Sequence, residues 1–189
     1  WWIKDRQNSN QHQFVDSVRG GNLTWVSPNT TTEQAYSAPT GSSVAWCWNL
    51  KNDRSNGFDI VTYTGAAGAN GNQDVPHSLG YVPDFVMIRN LDTAKQTQVW
   101  HSALGVNWLD TGNANNLVLN PSAAAAATDA FRGESATHIR VGANSSTNNA
   151  GDSHVMYLWR AVPGFSAFGS YSSNNSTEGH MIWTGFRPA

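Results

Sequence analysis

Short runs of alternating apolar and polar residues, separated by clusters of Gly, Asn, Ser and Thr, repeat along the whole chain. Such period-two runs bounded by turn formers predict β-strands. The stretch of alanines at 123–127 is the only one with appreciable helix propensity, and it is too short for more than one or two helical turns. The pattern predicts an all-β protein built from antiparallel sheets. The predicted strands cover residues 1–6, 12–18, 22–26, 43–50, 58–63, 85–90, 97–102, 138–141, 155–159, 165–171 and 180–186.

An internal repeat divides the chain. We predict two sequence-similar halves, residues 1–84 and 85–189, that form a single jelly-roll or lectin-like antiparallel β-sandwich domain with pseudo-two-fold symmetry. Because the sequence at Trp1 resembles the strand that begins shortly after Pro83, we also expect the unit to be excised from a longer chain. The aligned pairs are residues 1–20 with 86–105, 44–48 with 155–159, 57–58 with 164–165, and 80–83 with 185–188.

Six motifs in a fixed order carry a resemblance to a known family. They lie at residues 2–6, 14–20, 44–48, 57–65, 77–80 and 185–188. Together they resemble an uncharacterised repeat-bearing β domain of tailed-phage virion and tail-appendage proteins, common in marine phages. The resemblance implies a non-enzymatic virion structural protein, in a tail fibre, another exterior appendage or a capsid decoration, that presents loops for assembly or host-surface attachment. It implies a place on the virion exterior, with other virion proteins and copies of the chain itself as partners.

Composition narrows the classes of partner. Only 13% of the residues are charged, the formal net charge is -2, and Lys and Arg are scattered singly, so no basic stripe is present to follow a phosphate backbone. No apolar run approaches the roughly 20 residues that cross a bilayer. We therefore expect neither nucleic-acid binding nor membrane insertion. Cys47 is the only cysteine, which excludes an intrachain disulfide, and its apolar neighbours predict a buried thiol.

The sequence contains no convincing arrangement of catalytic residues. Asp152 and His154 flank a serine, but the Gly-x-Ser-x-Gly elbow of a hydrolase is absent, so we interpret them as a strand-end polar pair. Asp16-Ser17 and His101-Ser102 occupy equivalent positions in the two halves, and the repeat itself explains them structurally. The three glutamates are far apart, which argues against a polysaccharide-degrading enzyme. We predict no catalytic site and no cofactor.

Oxygen ligands and aromatic residues leave two further alternatives. Residues 110–116 could offer oxygen ligands of the kind that calcium prefers. They lack the Asp spacing and the terminal Glu of an EF-hand loop, so no metal site is predicted. Aromatic rings stack on sugars while amides bind hydroxyls, and a lectin-like carbohydrate-binding module for a host-surface glycan is therefore the competing hypothesis. Core tryptophans are predicted at Trp46, Trp48, Trp159 and Trp183. Surface contacts, to a glycan or to another subunit, are predicted at Trp25, Tyr36, Trp108 and Asn113.

Overall fold

Strands make up nearly all regular structure in the described part of the chain. The computed structural model describes residues 1–7, 12–21, 23–27, 34–38, 40–51, 54–66, 71–105, 114–119 and 124–187, with the backbone alone for Leu23–Ser27. The strands are β1 Trp2–Asp5, β2 His12–Val15, β3 Leu23–Ser27, β4 Gln34–Ala35, β5 Ser43–Trp46, β6 Phe58–Thr64, β7 Gln73–Pro76, β8 Phe85–Asn90, β9 Gln98–His101, β10 Asn115–Val118, β11 Ala126–Ala127, β12 Phe131–Glu134, β13 His138–Val141 and β14 Ser153–Trp159. A 3-10 turn covers Ser102–Leu104, and a one-turn helix, α1, covers Ser145–Asn148.

Three antiparallel sheets contain these strands. Sheet A has the order β4-β3-β2-β1-β5, sheet B the order β11-β10-β9-β8-β14-β6, and sheet C the order β12-β13-β7. In both larger sheets a four-strand meander is followed by a later strand that returns to lie beside the first strand of the meander. The predicted all-β, antiparallel class is therefore confirmed, and the layers are consistent with a sandwich.

Sheet B is the central layer because it buries apolar side chains on both faces. Along β14, Val155, Tyr157 and Trp159 pack with Phe14 of sheet A in one cluster. Met156 and Leu158 point the other way and pack with Ile139 and Val141 of sheet C in a second cluster. This alternation follows from the period of two along a strand. It explains why β14 reads as a nearly continuous apolar run rather than a half-polar one.

Several predicted elements differ from the structure. The strands expected at 58–63, 85–90 and 138–141 are confirmed almost to the residue, while β7 and β12 carry too many polar residues to have been predicted. The described alanines form no helix, and Ala126–Ala127 instead form β11. The strands predicted at 165–171 and 180–186 are wrong, because in those residues only Ser166 makes a bridge, to Val162.

Residues 165–187, here called the C-terminal segment, lie mostly on the surface. The segment begins at the Val162–Ser166 bridge, and the half-buried Phe168 stacks on Phe85 with ring centroids 6.2 Å apart. Further along, a local turn is held by the Asn174 side chain, whose Nδ2 donates to the Glu178 carbonyl at 2.8 Å. The segment is therefore attached to sheet B at its start and follows no sheet afterwards.

Candidate functional site

A cleft of about 310 Å³ opens between sheets A and B at the end of β2. Its volume is at the lower end of the range usual for small-molecule sites, roughly 300 to 1,000 Å³. Aromatic side chains form most of its wall, and a few polar groups line one side. The lining residues are Trp1, Phe14, Val15, Asp16, Ser17, Gly21, Trp48, Asn49, Leu50, Phe58, Ile60, Tyr157 and Trp159.

The turn after β2 sets the polar side of the cleft. Asp16 Oδ1 accepts the Arg19 backbone N–H at 3.0 Å, and the Asp16 carbonyl accepts the Gly21 N–H at 2.9 Å. Gly20 and Gly21 have φ values of +88° and +73°, a conformation that glycine adopts without the penalty a Cβ would bring. Two consecutive glycines thus let the chain reverse tightly enough to place Arg19 over Asp16.

A buried ion pair within this turn is hydrogen-bonded to β14. Asp16 Oδ2 accepts from Arg19 Nε at 2.7 Å and from the Tyr157 hydroxyl at 2.8 Å. The guanidinium also donates to the Phe14 carbonyl at 3.2 Å. The side chains of Arg19 and Asp16 are only 4% and 2% exposed, and burying two charges is costly unless they keep hydrogen bonds, as they do here to one another, to Tyr157 and to the Phe14 carbonyl. The cluster ties sheet A to sheet B.

The opposite wall of the cleft is a group of packed rings. The Trp48 ring packs edge-on against Trp159 with ring centroids 5.4 Å apart, and the ring centroids of Phe58 and Trp159 are 5.0 Å apart. Trp159 is buried and Trp48 half-buried, in line with the predicted core role. That prediction is wrong for Trp46 and Trp183, which are 45% and 82% exposed, because Trp46 lies on an edge strand and Trp183 in the C-terminal segment. The structure also corrects the expected burial of Cys47, whose thiol is exposed just past β5.

Of the residues predicted as surface contacts, the structure describes the side chain of Tyr36, and it does not line this cleft. Tyr36 follows β4, is half-buried, and is not among the lining residues. Trp25 lies in β3, for which the structure describes the backbone alone. Trp108 and Asn113, with most of the loop considered for calcium, lie outside the described residues. The cleft residues were missed because they come from distant parts of the sequence and most of them are apolar, and only the isolated Asp16 after an apolar strand hinted at a site.

Asp152 and His154 take part in a local hydrogen-bonded cluster at the start of β14. Asp152 Oδ2 accepts hydrogen bonds from Asn90 at 2.7 Å, Thr93 at 2.7 Å and Asn149 at 2.8 Å, and these bonds hold the pKa of Asp152 below its ordinary value. His154 Nδ1 lies 3.0 Å from the Asp152 backbone oxygen, not from its carboxylate. Burial lowers the pKa of His154, which stacks on Tyr63. The predicted strand-end polar pair fits this geometry.

The equivalent residues Asp16 and His101 both support the turn that follows their strand. Asp16 caps the turn through Arg19 N–H, and His101 Nδ1 accepts the Ala103 N–H at 2.9 Å. This is a structural use of both side chains, as the repeat suggested. Among the described residues, no group of three His, Cys, Asp or Glu side chains could hold a metal ion.

One further carboxylate lies in an unusual environment. Glu134 on β12 is paired with Ile139 on β13, and directly opposed residues share a face of the sheet, so Glu134 points toward the apolar cluster that contains Ile139. Burial raises the pKa of Glu134 to about 8. The buried environment therefore favours the protonated, neutral form of the Glu134 carboxyl group.

Exposed apolar side chains recur along the C-terminal segment, and none of them lines the cleft. Across residues 165–183 five of the six large apolar side chains are exposed, all but Phe168: Phe165 63%, Tyr171 72%, Met181 87%, Ile182 58% and Trp183 82%. Few monomeric proteins leave so many large apolar groups in one stretch of chain in water.

Comparison with known proteins gives a family without an assigned activity. A family model described as a domain of unknown function, DUF7483, matches residues 33–189. No curated protein and no solved structure matches the chain. In the described residues, no helix has the length and apolar character needed to cross a membrane.

Proposed function

Because the chain belongs to the DUF7483 family, whose function is unknown, we propose from its geometry and motifs that it is a non-enzymatic structural protein of a phage virion. It serves in a tail fibre, another exterior appendage or a capsid decoration, and its copies assemble with one another. Many copies multiply weak contacts with a host surface into useful binding.

The exposed apolar side chains of the C-terminal segment carry this proposal. Met181, at 87% exposed, and Trp183, at 82%, gain nothing from the fold of the single chain. Each contributes roughly 1.5 to 3 kcal/mol when it is moved from water into an apolar contact. A surface of this kind is typical of a protein that is covered by a partner in its working state.

The hydrogen bonds of two carboxylates, buried Asp16 and partly exposed Asp152, support a structural rather than an enzymatic role. Asp16 is saturated by Arg19 and Tyr157, and Asp152 by three side-chain donors. In a catalytic site we would expect at least one such group to face a substrate cavity without a structural partner.

The virion assignment rests on the ordered motifs, and the repeat supports a modular design. The strand order of sheet A, β4-β3-β2-β1-β5, recurs as β11-β10-β9-β8-β14 in sheet B. This recurrence supports the proposed halves, residues 1–84 and 85–189, and their pseudo-two-fold relation in a jelly-roll or lectin-like sandwich. A unit made of two similar halves suits an appendage that grows by repetition.

Light scattering on the purified chain tests the assembly. We expect concentration-dependent oligomers, and we expect the double variant Met181→Ser/Trp183→Ser to shift them toward the monomer. The matched control is Tyr81→Ser, since Tyr81 is 59% exposed outside the segment, and it should leave the oligomers unchanged. A chain that stays monomeric at all concentrations would contradict self-assembly.

Immunogold labelling tests the location. Antibodies raised against the chain should decorate the outside of intact phage particles, at the tail or on the capsid surface. Signal found only in the soluble fraction of an infected-cell lysate, and absent from purified particles, would contradict the virion proposal.

The cleft favours a second candidate function, carbohydrate binding. The half-buried Trp48 offers a ring for stacking, and the exposed Asn49 and Ser17 place polar groups in the same lining. Glycan-array binding that Trp48→Ala abolishes, while Trp46→Ala preserves it, would support this function. The predicted contact Trp108 gives a separate test, because binding lost in Trp108→Ala and retained in Trp48→Ala would place the sugar elsewhere.

A further inference from the structure

We propose that the outer edge of β5 accepts residues 167–171 of a second copy of the chain as an added antiparallel strand. The inference rests on the proposed self-assembly and names the two surfaces that meet. Strand addition to an open sheet edge is a common way in which proteins bind an extended segment.

The first observation is an edge that is covered in one sheet and open in the other. In sheet B, β14 lies beside β8 and carries β6 on its other side. In sheet A, β5 lies beside β1 at the corresponding place, and no described strand pairs with its outer side. Residues 44–48 align with residues 155–159 of β14, so β5 is the counterpart of a strand that has two neighbours.

The missing neighbour also has a counterpart in the sequence. Gly57-Phe58, which opens β6, aligns with Gly164-Phe165. Residues 165–171 therefore correspond to β6, yet they form no strand and expose Phe165 and Tyr171. An open edge and an unpaired strand equivalent are present in the same molecule.

The backbone of β5 presents its hydrogen-bonding groups in the required phase. Arg6 N–H donates to the Ser42 carbonyl at 2.9 Å, so alternate residues from Ser42 face β1, and the N–H and C=O groups of Ser43 and Ala45 face outward. In β14, the bonds Gly65 N–H to Asp152 O and Arg160 N–H to Gly57 O, both 2.9 Å, turn Met156 toward β6. Met156 aligns with Ala45, so the added strand would bond to the same backbone positions in β5 that β6 bonds to in β14.

The alignment fixes the register of the added strand. It places Ala167 opposite Trp46, Phe168 opposite Ala45 and Ser170 opposite Ser43. Trp46 shares a sheet face with Trp2, which packs into the core between sheets A and B. A small residue opposite this tryptophan fits the space at the edge, because large and small side chains interdigitate across a packed face. Phe168 then points away from the partner's core.

The edge of β5 lacks the features that normally prevent strand addition. Its four residues, Ser43–Trp46, include no charge and no proline. Other sheet edges are protected: β4 and β11 are two residues long, β12 carries a bulge between Phe131 and Gly133, and β7 ends on Pro76. In sheet B the edge strand β6 contains the buried carboxylate of Asp59, paired with Arg54.

A second copy fits this edge better than the chain's own segment. Residues 47–57 connect β5 to β6, whereas only residues 160–164 separate β14 from Phe165. This short link is folded into the Val162–Ser166 bridge, which holds the segment beside its own sheet B. Phe168 packs on Phe85 and His101 of its own chain, which further shortens the reach.

Disulfide trapping between two different single-cysteine proteins tests the pairing. One protein carries Ser43→Cys and the other Ser170→Cys, both in a Cys47→Ser background, so a heterodimer can form only between two chains. The matched control replaces Ser170→Cys by Ser176→Cys, since all of these serines are exposed. Directly opposite strand residues lie about 4.5 to 5.5 Å apart at Cα, which suits a disulfide. We expect the Ser43–Ser170 pair to cross-link at least about tenfold faster than the control pair.

Each result decides between the proposals. Oligomers by light scattering without faster cross-linking of the Ser43–Ser170 pair would overturn strand addition and leave self-assembly standing. A chain that never associates would overturn both. A double variant Ser43→Cys/Ser170→Cys that closes within single chains at high dilution would overturn the choice of a second copy.

A backbone variant gives an independent readout. Ala45→Pro removes an outward N–H without touching the hydrogen bonds to β1, and edge strands tolerate proline. Ala45→Ser keeps the N–H and is the matched control. We expect Ala45→Pro to weaken association about tenfold with an unchanged circular dichroism spectrum, and equal association of the two variants would overturn the proposal.

Discussion

Strands β14 and β5 have similar sequences and very different surroundings. Residues 155–159 align with residues 44–48, with a valine, a central aromatic and a final tryptophan in each. From His154 to Trp159 no residue of β14 is more than 8% exposed, whereas Trp46 in β5 is 45% exposed. The difference arises from position, because β14 has a strand on each side and a sheet over each face. Burial is therefore set by neighbours that the local sequence does not encode.

The same contrast separates β6 from residues 165–171. β6 reads Phe-Asp-Ile-Val-Thr-Tyr-Thr, with four β-branched residues, and it pairs with β14 over seven residues. Its counterpart, Phe-Ser-Ala-Phe-Gly-Ser-Tyr, has none, and contains a glycine. Such a segment has little strand preference of its own and depends on an edge to order it.

The largest expected effect comes from breaking the link between β14 and sheet A. Asp16→Ala removes the carboxylate that Arg19 and Tyr157 share and leaves a buried guanidinium without its anion. We expect a loss of about 4 kcal/mol in the free energy of unfolding, measured by urea denaturation.

Asp74→Ala is the matched control for this change. It breaks the exposed pair with Arg140, where the two side chains are 45% and 33% exposed, and should cost less than about 1 kcal/mol. Equal costs for the two variants would mean that the cleft cluster does not hold the sheets together.

Truncation of aligned residues in β14 and β5 tests the comparison directly. Leu158 is fully buried between sheets B and C, so Leu158→Ala should destabilise by about 3 kcal/mol. Its counterpart Cys47 is exposed, and Cys47→Ala should change stability by less than about 0.5 kcal/mol. Urea denaturation of both variants measures the two losses. If Cys47→Ala destabilised the protein more than Leu158→Ala does, our account of which strand is buried would be wrong.

Sheet C adds a pH-dependent effect of smaller size. Because burial raises the pKa of Glu134 to about 8, the folded state holds its proton more tightly than the unfolded chain does. Its contribution to stability is complete below the unfolded value near pH 4.5 and is lost as pH rises through about 8.

Glu134→Gln should abolish this loss. We expect the variant to be more stable than the natural chain by about 1 to 2 kcal/mol at pH 8 and little changed at pH 4, after discounting for the water that still reaches the side chain. Urea denaturation at both pH values measures it. Glu178→Gln, at an exposed glutamate, should show no such difference between the two pH values.

The sequence was a good guide where a strand's own residues determine its place. β8 and β13 were predicted to the residue because their apolar runs are bounded by turn formers. The polar strands β7 and β12 were missed, since partners across sheet C rather than their own pattern make them strands. The cleft was missed for the same reason: Phe14, Trp48 and Trp159 meet only after two sheets stack.

Apart from the control variants, the smallest expected effect is at Trp46, and it links stability to assembly. The ring centroids of Trp46 and Trp2 are 5.4 Å apart on the sheet face that is turned to the core. Because Trp46 also lies at the open edge and is 45% exposed, Trp46→Ala should lower the free energy of unfolding by only about 1 kcal/mol in dilute solution, below the range for buried aromatic residues. If a second copy covers this edge, the cost should rise when unfolding is measured at protein concentrations where oligomers form, because stability then includes the interface. A cost that stays the same at every concentration, in a protein that light scattering shows to associate, would mean that copies meet through a surface other than β5.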